Sequence, residues 1–232
     1  MASINGVFVM EHIAIAIDGP AGSGKSTAAR EVARRLGITY LDTGAMYRSV
    51  ALKALKNGID PRDSASVTAL LPDTDLRIRI EDGVQHFILD GEDVTGQIRT
   101  SEVSRGASDV GVNPAVRLFL VAMQREIAKG QDVVMDGRDI GTYVLPDAPF
   151  KFFMTADSKT RALRRYNELL EKGTDKTFEA VHEELLARDA NDSGREFAPL
   201  RAADDAVLID TTDLTAGETV ELILNTVQAG KK

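Results

Sequence analysis

Residues Gly19 to Ser26, GPAGSGKS, satisfy the pattern GxxxxGK[ST], and they constrain the fold more tightly than any other stretch of the chain. Glycines at these spacings let the backbone curl until successive N–H groups point inward, and the N-terminus of a following helix adds positive potential. In such a loop Lys25 reaches the β- and γ-phosphates of a nucleoside triphosphate, and the Ser26 hydroxyl ligates Mg²⁺. Gly19, Pro20, Ala21, Gly22, Ser23, Gly24, Lys25, Ser26 and Thr27 are therefore the expected triphosphate cradle. The loop needs a buried strand before it and a helix after it. Ile13–Ile17 supplies the apolar run, and Ala29, Val32, Ala33 and Leu36 recur afterwards at helical spacing, with Gly37 as the stop.

Four further apolar runs, Ile38–Leu41, Val133–Met135, Phe150–Met154 and Ala206–Ile209, lack the alternation of half-exposed strands. They predict a five-stranded parallel sheet covered on both faces. Asn113 followed by Pro114 reads as an N-cap and first-turn pair. It opens a helix that puts Val116, Phe119, Leu120, Met123 and Ile127 on one face and ends at Gly130. A third helix is predicted from near Asp157 to Lys172–Gly173, and a fourth from Phe178 to about Arg188. Strand–helix alternation of this kind implies a three-layer α/β fold. Between residues 62 and 108 the pattern breaks. Leu76–Ile80 alternates, Asp82-Gly83 is a two-residue turn, Val84–Leu89 returns, and a third strand is expected near Asp93–Ile98. The predicted organisation is a P-loop core of residues 1–61 and 109–232, with an antiparallel insertion at 62–108 and a short mobile lid at about 172–198.

The 232 residues include no cysteine, which excludes disulfides and thiolate metal sites, and His12, His86 and His182 share no ligand spacing. A net charge of −8 argues against a nucleic-acid partner, although a small phosphorylated ligand needs only a few well-placed cations. No apolar run is long enough to span a bilayer, and residues 1–12 read as a weakly ordered leader rather than a secretory signal. These features fit the cytoplasm, and with no surface heptad or long apolar patch a monomer is expected.

A phosphate loop alone does not separate kinases from GTPases, motors or scaffolds. Asp42–Arg48 and Asp136–Asp139 end the second and third parallel strands, so both should face the crevice beyond the strand ends. Arg188, Asp192 and Arg195 share one helical face if the fourth helix persists, although Ser193-Gly194 and Pro199 favour a helix end running into a flap. The segments IDGPAGSGKST, LDTGAMYR, EDVTGQIRT, DGRDIGT and RDANDSGREFAPL, in this order from Ile13 to about Thr211, resemble the bacterial cytidylate (CMP) kinase family in its long form.

That resemblance implies transfer of a phosphoryl group from ATP, with Mg²⁺, to CMP or dCMP. It implies that Arg48 and Arg138 hold the acceptor phosphate, that Arg188 and Arg195 reach over both nucleotides, and that Asp192 lies with Arg188 near the pentose. Ser108, Arg117 and Asp139 would read the base, and Thr43 keeps the hydroxyl of a position that is often serine. Lys25, Arg138, Arg188 and Arg195 would carry catalysis, and Ser26 the metal. The chemistry suits these residue types. An acceptor phosphate is already anionic near neutral pH, so neutralisation and in-line positioning are required rather than a general base. Guanidinium forks grip phosphate oxygens bidentately.

Several residues read two ways from sequence. Arg138–Asp139 and Arg188–Asp192 also read as plain surface ion pairs. Asp42 also reads as a turn cap, and Asp136 as directing Mg²⁺ or ordering the Arg138 turn. Tyr47 belongs either to the acceptor site or to the core, and Lys53, Arg77 and Arg79 read as solvated. The rival activities are a P-loop kinase acting on UMP, AMP or a hydroxyl acid, and a nucleotide-gated binding module. The latter is disfavoured by the lack of an NKxD sequence.

Overall fold

The computed structural model describes residues 3–4, 7–8, 12–81, 83–171, 173 and 175–230. Ser3–Ile4 (β1) and Val7–Phe8 (β2) pair antiparallel; the rest of the expected leader up to residue 11 lies outside the described residues. β3 (Ala14–Asp18) runs through the glycine loop into α1 (Lys25–Leu36), and β4 (Thr39–Asp42) runs directly into α2 (Thr43–Lys56). Then come α3 (Ser64–Leu70), β5 (Leu76–Glu81), β6 (Val84–Leu89), β7 (Glu92–Asp93) and α4 (Ser101–Val110). The chain continues through α5 (Pro114–Gly130), β8 (Val133–Gly137), β9 (Phe150–Thr155), α6 (Ser158–Leu170), α7 (Phe178–Ser193), β10 (Val207–Asp210) and α8 (Ala216–Gly230).

Five strands form one parallel sheet in the order β10-β9-β3-β8-β4, as the apolar runs predict. β3 sends Ile15 and Ile17 into a cluster with Val32, Val134, Ile223 and Val227, beneath α1 and α8. It sends Ala14 and Ala16 the other way, into a cluster with Met46, Leu120 and Met135 beneath α2 and α5. Both faces are thus covered at β3 and its neighbours, which is why these strands read as continuous apolar runs, whereas Val207 and Leu208 of the edge strand β10 are exposed. The register sets Asp18 beside Gly137 and Asp42 beside Asp136, so all three loops that leave these strand ends open on one edge of the sheet. Local signals place the helices. Gly37 ends α1 at φ 67, and Asn113 caps α5 by accepting from the Ala115 N–H, with Pro114 in the first turn.

The antiparallel insertion forms a separate three-stranded sheet, β5-β6-β7. Asp82 of its predicted turn lies outside the described residues, while Gly83 has φ 77. Phe87, Leu89, Val94 and Ile98 join the same cluster as Met46 and Leu120, so the insertion shares a core with the parallel sheet. Its third strand is shorter than expected. Only Glu92–Asp93 pairs, and Gln97–Arg99 forms a 3₁₀ turn. The Thr95 hydroxyl accepts the Phe87 N–H at 2.9 Å, taking the place of a strand carbonyl and ending the ladder.

Two other expectations are corrected. α7 does not stop near Arg188 but continues to Ser193, so Arg188 and Asp192 belong to one helix and Arg195 follows just beyond it. Lys53 is not solvated; its ammonium is buried between the Asp73 carbonyl and the Asp90 carboxylate, tying α2 to the insertion. Arg77 and Arg79 are exposed, as read from sequence, and pair with Asp75 and Glu81. α6 ends at Leu170, and Lys172, part of its expected end, lies outside the described residues.

Candidate active site

The glycine loop is shaped by conformations and contacts that only glycine tolerates. Gly19 has φ 150, and a Cβ there would sit 2.0 Å from the Met154 carbonyl oxygen; at Gly22, φ 75, it would sit 2.8 Å from that of Arg161. Arg161 also grips the loop from outside, donating to the Ala21 carbonyl at 3.0 Å while pairing with Asp189 at 2.6 Å. The Thr211 hydroxyl donates to the Ser23 carbonyl at 3.1 Å. Neither supporting residue carries a motif, and sequence reasoning missed both.

Lys25 folds back into the loop, donating to the Pro20 carbonyl at 3.0 Å. Burial pushes its ammonium down to about 7, helped by the Arg138 guanidinium and opposed by Asp136. The Ser26 hydroxyl donates to Asp136 at 2.6 Å, and the Tyr40 hydroxyl donates to its other carboxylate oxygen at 2.8 Å. Burial, and next the Asp42 carboxylate, raise the Asp136 carboxyl. The Asp136 side chain therefore serves the loop and not the Arg138 turn. Ser26 and Asp136 form a hard-oxygen pair that fits Mg²⁺ completed by phosphate and water oxygens. Among the described residues no group of three or more acidic or histidine side chains could hold a metal by itself.

The Arg138 turn is ordered by a residue that the sequence reading passed over. Asp18, at the end of β3, accepts the Ile140 and Gly141 N–H groups at 2.8 and 2.7 Å. It thereby pins the π-helical turn Ile140–Val144 against the strand that feeds the glycine loop. Burial raises its carboxyl to about 7 against the pull of these two bonds.

Opposite the loop lies a concentration of arginine. Arg48 pairs with Asp42 at 2.9 Å, and Asp42 also caps α2 by accepting from the Ala45 N–H, as one of its sequence readings has it. Arg138 donates to Asp192 at 2.6 Å, and Arg195 pairs with the other oxygen of the same carboxylate. Burial would raise Asp192, but Arg138, Arg195 and Arg188 overcome it and hold the carboxyl at about 2. Burial, then Arg138, lower the Arg188 guanidinium to about 10. Among the described residues the buried Nε–H groups of Arg48, Arg117, Arg188 and Arg195 have no acceptor. Buried donors are costly when unpaired, so this cluster is built for an anion.

Asp139 pairs with Arg117 rather than with its neighbour Arg138, and both partners are buried. Arg117 also donates to the Gly111 carbonyl at 3.2 Å and lies 5.5 Å from the Tyr47 ring centroid. Tyr47 packs against the core and lines the site as well. Neither suspected surface pair is one: Arg138 and Asp139 each take a different, buried partner, and Arg188 donates no hydrogen bond to Asp192 through its Nε.

One cleft of about 770 Å³ runs between these groups. Thr43, Tyr47, Arg48, Ser108, Arg117, Arg138, Asp139, Arg188, Asp192 and Arg195 all line it, together with Ala21, Gly22, Gly24, Lys25, Ser26 and Thr27. Gly19, Pro20 and Ser23 of the same loop do not line it. Arg99, Ser104, Arg105 and Asn191 also line the cleft, and sequence reasoning singled out none of them, because residue type alone does not separate them from other polar surface positions.

The family model for cytidylate kinase matches residues 15–229 of the chain. A cytidylate kinase of Caldicellulosiruptor bescii is 52% identical over 215 residues, covering 93% of this chain and 95% of its own. One of Caldanaerobacter subterraneus subsp. tengcongensis is 50% identical over 220 residues, covering 95% and 96%. A solved structure of an uncharacterized protein from Eubacterium ventriosum is similar in fold, with a TM-score of 0.50 at 14% identity, covering 94% of this chain and 99% of its own.

Proposed function

We propose that this chain, which belongs to the cytidylate kinase family, transfers the γ-phosphoryl group of ATP to CMP or dCMP. The observation that carries the reading is the arginine cluster across the cleft from the glycine loop, with the buried Nε–H groups of Arg48, Arg117, Arg188 and Arg195 lacking an acceptor among the described residues. A triphosphate site needs the loop; a second phosphate explains the rest.

In this reading an oxygen of the acceptor phosphate forms a bond to the γ-phosphorus as the bond to the β–γ bridging oxygen breaks, leaving ADP and CDP. Lys25 and the loop N–H groups hold the β- and γ-phosphates. Arg48 and Arg138 hold the acceptor phosphate in line, and Arg188 and Arg195 neutralise charge between the two. Bound Mg²⁺, held through Ser26 with Asp136 beside it, would draw charge from the phosphate oxygens. Catalysis then consists of positioning and electrostatic stabilisation. Thr43 and Tyr47 support the acceptor pocket, and Asp192 lies towards the pentose.

The base is read by edge chemistry. Cytosine offers one amine donor and the acceptors N3 and O2. Asp139 meets Arg117 through Oδ2, which leaves Oδ1 for the amine, while Arg117 and Ser108 donate to the acceptors. Uracil would set a carbonyl against that carboxylate. The insertion at 62–108 serves as the acceptor-nucleotide subdomain and about 172–198 as a lid. No helix among the described residues is long and apolar enough to cross a membrane. The reading includes a cytoplasmic monomer, with the absence of cysteine in its favour. The test is ADP formation from Mg-ATP with CMP, dCMP, UMP, AMP and shikimate. CMP or dCMP should lead; activity confined to AMP or shikimate, or indifferent to the acceptor, would reject the reading.

A further inference from the structure

We propose that Asn191 biases the hydrogen-bond polarity of Ser108, so that the Ser108 hydroxyl keeps its proton to donate to the acceptor base. This rests on the reading that the base lies against Ser108. Ser108 is on α4 and Asn191 on α7, two helices that meet across the cleft, which both residues line. The Asn191 side-chain nitrogen lies 2.8 Å from the Ser108 hydroxyl oxygen and 3.4 Å from the Ser108 carbonyl oxygen. A carbonyl only accepts, so the end of the amide that faces it is the NH₂ group.

That group also donates to the hydroxyl. It occupies a lone pair of Oγ and turns the hydroxyl proton away from itself. Among the described residues the Ser108 hydroxyl donates to none, so its proton is left for the cleft. A serine alone is ambivalent, because it can donate to one base and accept from another. With Asn191 donating into one of its two lone pairs, Ser108 keeps its proton for an acceptor atom of the pyrimidine edge and has a single lone pair left to offer an N–H. A discrimination that cytosine needs at N3 is thus favoured by a residue that need not touch the base. Asn191 is a positioning residue in this account.

Substitutions at Asn191 separate polarity from simple bridging between the helices. Asn191→Asp keeps a side chain able to bridge α4 and α7, but a carboxylate only accepts, so Ser108 would donate to it and turn a lone pair to the base. Asn191→Ala loses the bridge but lets the hydroxyl rotate freely. Calorimetric Kd values for CMP, measured on the full chain as wild type, Asn191→Ala and Asn191→Asp, each with and without Ser108→Ala, form a double-mutant cycle. Asn191→Asp should weaken CMP binding about 100-fold and Asn191→Ala about fivefold, roughly the difference between a clashing and a merely unfixed hydrogen bond. In the Ser108→Ala background the two should become equal.

ATP affinity and far-ultraviolet circular dichroism should remain at wild-type values in every variant. An Asp penalty no larger than the Ala penalty would overturn the polarity assignment. So would an excess Asp penalty that persists without the Ser108 hydroxyl, since that would be charge repulsion alone. Both outcomes leave the base reading intact. Wild-type CMP affinity in Ser108→Ala itself would overturn the base reading and this inference with it.

Discussion

Lys25 makes the donor half of the site measurable through protons. Burial, with Arg138 next, holds its ammonium at about 7 in the free protein. A bound triphosphate places negative charge beside it and restores the pKa towards the ordinary value of about 10.4. The bound-state pKa then exceeds that of the free state, so binding takes up a proton between the two values, and affinity falls as pH rises through that window. At pH 8 a lysine of pKa about 7 is roughly one-tenth charged, so binding should draw in roughly 0.9 proton. At pH 6 it is already roughly nine-tenths charged, and uptake should fall to roughly 0.1. Calorimetric titration with a non-hydrolysable ATP analogue at pH 6, 7 and 8, in buffers of low and high ionisation enthalpy, reads this number directly. Lys25→Met, titrated alongside, subtracts the titration of the nucleotide itself. Uptake that stays near zero, or that does not grow with pH relative to Lys25→Met, would refute the placement of Lys25 as a buried cation awaiting phosphate.

Asp139→Ala should do more than relax base selectivity. It strands Arg117, which is 1% exposed, without its buried counter-ion, at a cost of about 3–5 kcal/mol in urea unfolding, and Asp139→Asn should cost less. An unchanged urea midpoint would contradict the buried pair. Arg138→Lys keeps the charge but loses the planar fork, so steady-state turnover should fall about 10²–10³-fold, with the melting temperature moving by no more than about 4 °C. Wild-type turnover in that variant would remove bidentate gripping from the mechanism.

The parallel sheet was legible because strands buried on both faces carry unbroken apolar runs, and the glycine loop because its φ values admit little else. The arginines that line the cleft were legible as a set, yet their partners were not. A pair between the neighbours Arg138 and Asp139 was the alternative that sequence left open, whereas the turn held by Asp18 sends the two side chains to Asp192 and Arg117. Asp18 itself was hidden, since a carboxylate at a strand end has no local signature of the N–H groups it will accept. Lys53 looked solvated because only the packing of the insertion buries it. The end of α7 was misplaced for a similar reason. Ser193 and Gly194 are weak helix formers, and the contacts of Asp192 with Arg138 and Arg195 carry the helix past Arg188.

The central claim is that one cleft holds two nucleotides with their phosphates facing each other. A ligand joining adenosine and cytidine through a pentaphosphate spans both halves and should gain from the high effective concentration of its second end. Steady-state inhibition should therefore be competitive against ATP and equally competitive against CMP, with an inhibition constant well below either KM. Competition with ATP alone, with CMP kinetics noncompetitive, would place the acceptor outside this cleft and contradict the account.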